Sequence, residues 1–237
     1  MIQIALKYDC SHILENERQD IFVLLFLFII NLFNNKMRYK WILLVPVISV
    51  LGGCSKDNSE EPAPALEVKT AKIDARSYSD WVYFSFEKGT VVEVDKANFN
   101  KSLDWDIAFH RNDVRLNCGN SGLGSGGAVK TQSKSLSEIT TAPSSGYVVD
   151  ATKSIMVKFT LPVPVFEDQP ANGEIQWLNV DTSNPPPVYT LYDNVYVIRT
   201  AAGKFAKIKF ANYLSDKNET MVISLDYAYQ PDGSTRL

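Results

Sequence analysis

Residues 194–210 read NVYVIRTAAGKFAKIKF, two segments rich in β-branched and aromatic residues on either side of Ala201-Ala202-Gly203-Lys204. A glycine inside so short a connection accepts a positive φ at no steric cost, which is what a tight turn between antiparallel strands demands. The stretch therefore predicts a β-hairpin. Outward from it, the same short alternating pattern recurs at Tyr78–Phe86, Val91–Val94, Trp105–His110, Ile155–Phe159 and Met221–Tyr229. Seven candidate strands with turn residues between them and little helix predict an all-β fold, an antiparallel β-sandwich or partly open barrel. Strict alternation in Trp105–His110 would put Trp105, Ile107 and Phe109 on one face and Asp106, Ala108 and His110 on the other.

Two long loops interrupt this pattern. Asn117–Lys130, NCGNSGLGSGGAVK, is rich in glycine and poor in side chains to bury. It is either mobile or shaped so that backbone approaches something closely. A phosphate cradle would need GxxxxGK[ST], or GxGxxG opening a helix, and neither is present. Thr160–Pro187 carries prolines at 162, 164, 170, 185, 186 and 187. Because proline cannot donate to a ladder, this stretch is expected to wander over the surface.

The chain has 237 residues, 45% of them apolar and 22% charged, with a formal charge of -3. That is enough for a proper core, and no basic block argues for nucleic acid. The N-terminal quarter reads differently. From Met37 the sequence is MRYKWILLVPVISVLGGC: a positive start at Arg38 and Lys40, an apolar run from Trp41 to Leu51, and Leu51-Gly52-Gly53 ahead of Cys54. This is the arrangement of a lipoprotein signal peptide (37–53), with Cys54 as the lipidated residue and membrane anchor. The apolar run is shorter than the roughly 20 residues of a bilayer span. A second apolar run, Ile21–Phe33, precedes it. Two export signals in tandem make little physical sense, so residues 1–36 are expected to be an overextended start. Residues 54–65 are acidic and proline-bearing, a tether ahead of a β domain at 66–237. An acidic stretch behind the lipidated cysteine favours an outer-membrane lipoprotein that faces the cell exterior.

The inventory of reactive groups is small. Past Cys54 only Cys118 and His110 remain of their kinds, and no CxxC, HxH or HExxH spacing occurs, which argues against a zinc enzyme. No GxSxG elbow is present, and Asp104 and Asp106 flank Trp105 as a solvated edge would. Nothing supplies a recognisable base or nucleophile, so the expectation is a protein that is not an enzyme.

Several strings taken in order resemble one family. They are WDIAFHR (105–111), Asn117 with the run ending Gly126-Gly127-Ala128, PVYT (187–190), NVYVIRT (194–200), GKFAK (203–207) and YAYQ (227–230). Together they resemble HmuY across nearly all of residues 66–237. The resemblance implies an all-β fold that holds haem, or a related tetrapyrrole, between loops, with two side chains on the iron. It also implies haem acquisition and delivery to an outer-membrane TonB-dependent haem transporter. Iron in haem accepts an imidazole, thioether, thiolate or phenolate. Residues 54–237 contain two methionines, and Met156 falls where the second ligand loop of the family would lie, making it the candidate axial and metal ligand. Met221, at the start of the last strand, reads as packing. The first ligand would fall at Gly126–Lys130, where there is neither His nor Met. Met156 alone, a substitute such as Tyr147 or Cys118, or a changed cargo would each account for that. Tyr147, Trp177 and Tyr189 are candidates to stack on a porphyrin or simply to pack, and His110 reads as framework. The alternative function is a non-haem surface binding or adhesion module that keeps the same fold.

Overall fold

The structure, a computed structural model, describes residues 65–237. The expected start at 1–36, the signal peptide at 37–53, lipidation at Cys54 and nearly all of the 54–65 tether lie outside the described residues. The strands are β1 (Lys69–Asp74), β2 (Val82–Ser85), β3 (Thr90–Val92), β4 (Ile107–His110), β5 (Asp113–Leu116), β6 (Gly127–Lys130) and β7 (Ala151–Lys158). There follow β8 (Val165–Ala171), β9 (Leu178–Asp181), β10 (Val188–Leu191), β11 (Val195–Arg199), β12 (Phe205–Leu214) and β13 (Thr220–Gln230). Every helical segment among them is a single 3-10 turn. The all-β expectation holds.

A five-stranded sheet runs β1-β13-β12-β11-β6 and a four-stranded sheet runs β3-β2-β4-β5. All pairings are antiparallel. The hairpin read from 194–210 is β11 and β12, with Val195 opposite Lys209 and Arg199 opposite Phe205. Its turn closes through Thr200 N–H to the Lys204 carbonyl at 2.8 Å, and Gly203 takes φ +77°. The two sheets face each other across one core. Ile73, Tyr196, Ile198, Ile208, Phe210, Ile223 and Leu225 come from the first sheet; Phe84, Ile107, Phe109, Val114 and Leu116 come from the second. Each aliphatic or aromatic side chain so buried contributes roughly 1.5–3 kcal/mol relative to exposure. The arrangement is an open sandwich, not a closed barrel.

Alternation in β4 places Ile107 and Phe109 in this core and Ala108 in a second cluster with Tyr83. Trp105 departs from the expected face. It precedes the strand and packs with Ala108, edge-on to Tyr83 at 5.0 Å, with its indole N–H donating to the Phe99 carbonyl. Asp106 is not a solvated edge either. It is buried, and its carboxylate accepts from the Phe86 N–H at 2.9 Å and the Ala201 N–H at 3.0 Å, tying the β11–β12 turn to β2.

Thr160–Pro187 is more ordered than its prolines suggested. It contains β8 and β9, and Pro170 sits within β8 opposite Thr152 of β7. The β7–β8 pair is a separate two-stranded sheet, so an imino acid on its free edge breaks no inner ladder. The glycine-rich loop is the closely packed alternative. A Cβ at Gly122, Gly124 or Gly126 would come within 2.1, 2.4 and 2.7 Å of Asn117 atoms. What the backbone approaches is therefore the protein itself. Asn117, fully buried, donates to the Ser102 and Trp105 carbonyls and accepts from the Gly124 N–H.

Candidate functional site

A pocket of about 390 Å³ opens where the β4–β5 turn, the start of β13, the far end of β7 and the β9–β10 hairpin meet. This is within the range of about 300–1,000 Å³ usual for small-molecule sites. Its wall includes Met156, Phe159, Tyr189 and Met221, together with Tyr78, Arg111 and Asp113. Met156 and Tyr189, chosen from sequence far apart in the chain, meet here. Met221, read as packing, does both: it belongs to the core cluster and also lines the pocket.

Local backbone explains how these side chains are presented. The pairing of β7 with β8 shifts register just after Met156, and such an irregularity re-aims the side chains around it. Arg111, in the two-residue connection between β4 and β5, has φ +54°, the left-handed geometry that tight hairpins require. Met221 has φ +66°, an unfavourable conformation for a residue with a side chain, held by its carbonyl accepting from the Ala75 N–H at 3.0 Å. Two such residues on one wall mark a place where the fold stores local strain.

The walls are aromatic and mixed in charge. Arg111 lies over the Tyr78 ring at 4.2 Å and donates to the Arg76 carbonyl, while Tyr78 stacks on Phe159 at 6.0 Å. Tyr189 stacks on Tyr213 at 5.5 Å. Burial raises the Asp113 carboxyl above its usual range despite Lys153 at 3.7 Å. The β7–β8 connection leaves Leu161 and Val163 exposed, and Phe159, on the pocket wall, is exposed as well, as are Val165 and Phe166 of β8.

The other candidates lie elsewhere. Tyr147 packs beside Phe205, Val197 and Leu237 on the outer face of the large sheet, under Arg199 at 4.9 Å. Burial pushes its hydroxyl up to about 12, so it is a neutral phenol, not a ready phenolate. Cys118 is buried, and desolvation, with Asp150 close by, pushes its thiol up to about 12. A thiolate donor is ruled against there. Trp177 is fully buried and stacked on Phe210 at 4.4 Å, which is packing. His110 is buried framework stacked on Trp81 at 5.2 Å, though its Nδ1 has no hydrogen-bond partner. None of Gly126–Lys130 contributes to the pocket wall. Tyr78, Arg111 and Asp113 escaped sequence reading because nothing local distinguishes them from ordinary turn and strand-end residues.

The fold and this site define an all-β protein with an open, methionine- and tyrosine-lined pocket at the end of a sandwich. Comparison with known proteins then names the lineage: the HmuY family profile matches residues 77–227, and the chain belongs to that family. A Bacteroides vulgatus protein assigned as HmuY-like and heme-binding is 29% identical, with a TM-score of 0.58 over 68% of this chain and 91% of its own. A Bacteroides fragilis protein assigned as a lipoprotein is 26% identical, with a TM-score of 0.57 over 70% and 92%. The apo HmuY analog of Tannerella forsythia shares the fold at 24% identity, with a TM-score of 0.58 over 72% and 100%. No curated protein matches the chain.

Proposed function

We propose that the chain is a non-enzymatic surface lipoprotein that binds haem, or a related tetrapyrrole, for iron and haem acquisition. The observation that carries this reading is that Met156, Met221 and Tyr189 line one pocket. Thioether sulfur is a haem-iron donor, and aromatic and aliphatic walls suit a porphyrin face. The donor set fits haem in chemistry: Met156 is half-buried on the wall and is the first candidate ligand, with Met221 the second thioether on the same pocket. Tyr189 and Tyr78 supply flat surfaces, and Arg111 supplies a cation for a carboxylate at the rim. Phe159, exposed and on the pocket wall, adds a further aromatic surface at its edge. Lipidation at Cys54 would hold the domain at the outer membrane facing the exterior, with haem passed to a TonB-dependent transporter.

The test is a titration of the chain from Ser55 onward with haemin, under oxidising and reducing conditions, read by visible absorption. Saturation near one haem per chain, with bands moved by Met156→Ala, is the expected outcome. Bands unchanged in Met156→Ala reject that ligand; a spectrum identical to haemin mixed with an unrelated protein rejects haem as the cargo.

A further inference from the structure

A second pocket, of about 250 Å³, shares no wall residue with the first and is lined by Ser79, Trp81, Tyr83, Lys96, Phe99 and Arg115, with β8 closing it. Arg115 is only 2% exposed. A guanidinium buried to that degree ordinarily meets a carboxylate. Among the described residues no acidic side chain lies within ion-pair distance of it. The buried carboxylate of Asp150 attracts Arg115 through space but does not bond to it, accepting instead from the Leu116 N–H, the Ser121 hydroxyl and the Asn172 amide.

The surroundings of Arg115 leave its plane as the place where a ligand would bond. Its Cζ lies 3.9 Å from the Trp81 ring centre and 4.4 Å from that of Phe99, so it sits over two aromatic faces. In the plane, Nε donates to the Pro170 carbonyl at 2.9 Å, and Nη1 and Nη2 make long contacts of 3.3 Å to Tyr83 Oη and Gln169 Oε1. A guanidinium has five N–H donors, so its in-plane capacity is only partly used. Burial lowers the affinity of Arg115 for its proton, with Tyr83 and Asp150 opposing in part. Lys96, the other cation of the wall, is paired with Asp80.

We infer that this pocket binds a small monocarboxylate with an apolar body, its carboxylate on Arg115. A guanidinium with no direct ion pair and N–H donors left over calls for an anion, and a planar carboxylate matches its fork. The indole, phenyl and phenol rings around it call for an apolar remainder. A dianionic phosphate fits less well, because Asp80 already neutralises Lys96.

The full chain, held in detergent so that its apolar N-terminal segment stays dispersed, is titrated with benzoate and in parallel with neutral benzamide, read by saturation-transfer NMR of the small molecule. Saturable benzoate binding, at least ten-fold tighter than that of benzamide and abolished in Arg115→Gln, is the expected result. Ser79→Trp fills the exposed mouth without touching the core, so it tests the site even where Arg115→Gln fails to fold. Equal binding of benzoate and benzamide, benzoate binding that survives Ser79→Trp, or preference for inorganic phosphate over benzoate would each overturn the assignment. Haemin titration reads the other pocket, so failure here leaves the haem reading standing and the reverse holds too.

Discussion

Replacing Asn117 with alanine should be among the most costly single changes in the domain. The side chain is fully buried and makes three hydrogen bonds: Nδ2 to the Ser102 carbonyl at 2.8 Å, Nδ2 to the Trp105 carbonyl at 2.9 Å, and Oδ1 from the Gly124 N–H at 3.1 Å. The Trp105 bond is wholly buried, so an orphaned carbonyl there costs about 1–3 kcal/mol, and the two part-buried partners about 1 kcal/mol each. The sum is about 3–5 kcal/mol, against total stabilities of about 5–15 kcal/mol for a domain. For a domain of this size that lowers Tm by roughly 6–20 °C. Urea unfolding of the chain from Ser55 onward, followed by tryptophan fluorescence, measures it, with an unchanged slope showing that only stability moved. Gly173→Ala is the control, since a Cβ there meets nothing within 4 Å. A loss below about 1 kcal/mol in Asn117→Ala would refute the claim that this side chain organises the glycine-rich loop.

Two further outcomes follow from buried titratable groups. Burial holds the His110 imidazole below its ordinary 6.5, a backbone hydrogen bond at Tyr78 opposing only in part. Below 6.5 the unfolded chain therefore takes the proton first, so stability is complete above that value and drains as pH falls through it. His110→Phe keeps a ring against Trp81 and removes the proton, so between about pH 7.5 and 5.5 wild type should lose stability relative to the variant; parallel profiles would refute this. Asp106 and Asp150, both raised by burial, act in the opposite direction but are common to the two proteins. Cys118, buried and with its thiol pushed up, should resist maleimide in the native chain and react on unfolding, as mass spectrometry would show; rapid native labelling would contradict its placement.

What could be read from the sequence were the elements that carry their own signal. The β11–β12 hairpin has β-branched and aromatic runs and a turn glycine, and β13 has a long alternation whose alternate residues Met221, Ile223 and Leu225 are buried. The missed strands borrow their stability from partners distant in sequence. β1, KTAKID, buries only Ile73 and exists as a strand because β13 offers it a backbone edge. β6, GAVK, is too small and glycine-rich to announce itself, and is fixed by pairing with β11. β8, VFEDQPA, is acidic and contains proline, and forms only as the partner of β7. Local composition does not report such non-local pairing.

The same division governs the sites. Met156 could be picked because methionine is scarce past Cys54 and because it falls where the resemblance puts a ligand loop, and Tyr189 as an aromatic able to stack; that Met221 joins them depends on a positive-φ turn at the start of β13 that no pattern announces. Arg115 shows the opposite failure. In DVRL an arginine reads as a solvated residue on a strand, yet it is among the most buried polar groups of the domain. It is buried because Trp81 and Phe99, distant in sequence, pack their ring faces against the guanidinium, and because β8 brings the Pro170 carbonyl to its Nε. A cation so enclosed costs folding energy unless something offsets the charge. The aromatic faces and the through-space attraction of Asp150 offset part of it, and the hydrogen-bonding capacity left on the guanidinium is where an anion would offset more. The residue that sequence reading had least reason to notice is thus the one whose burial most needs a chemical explanation.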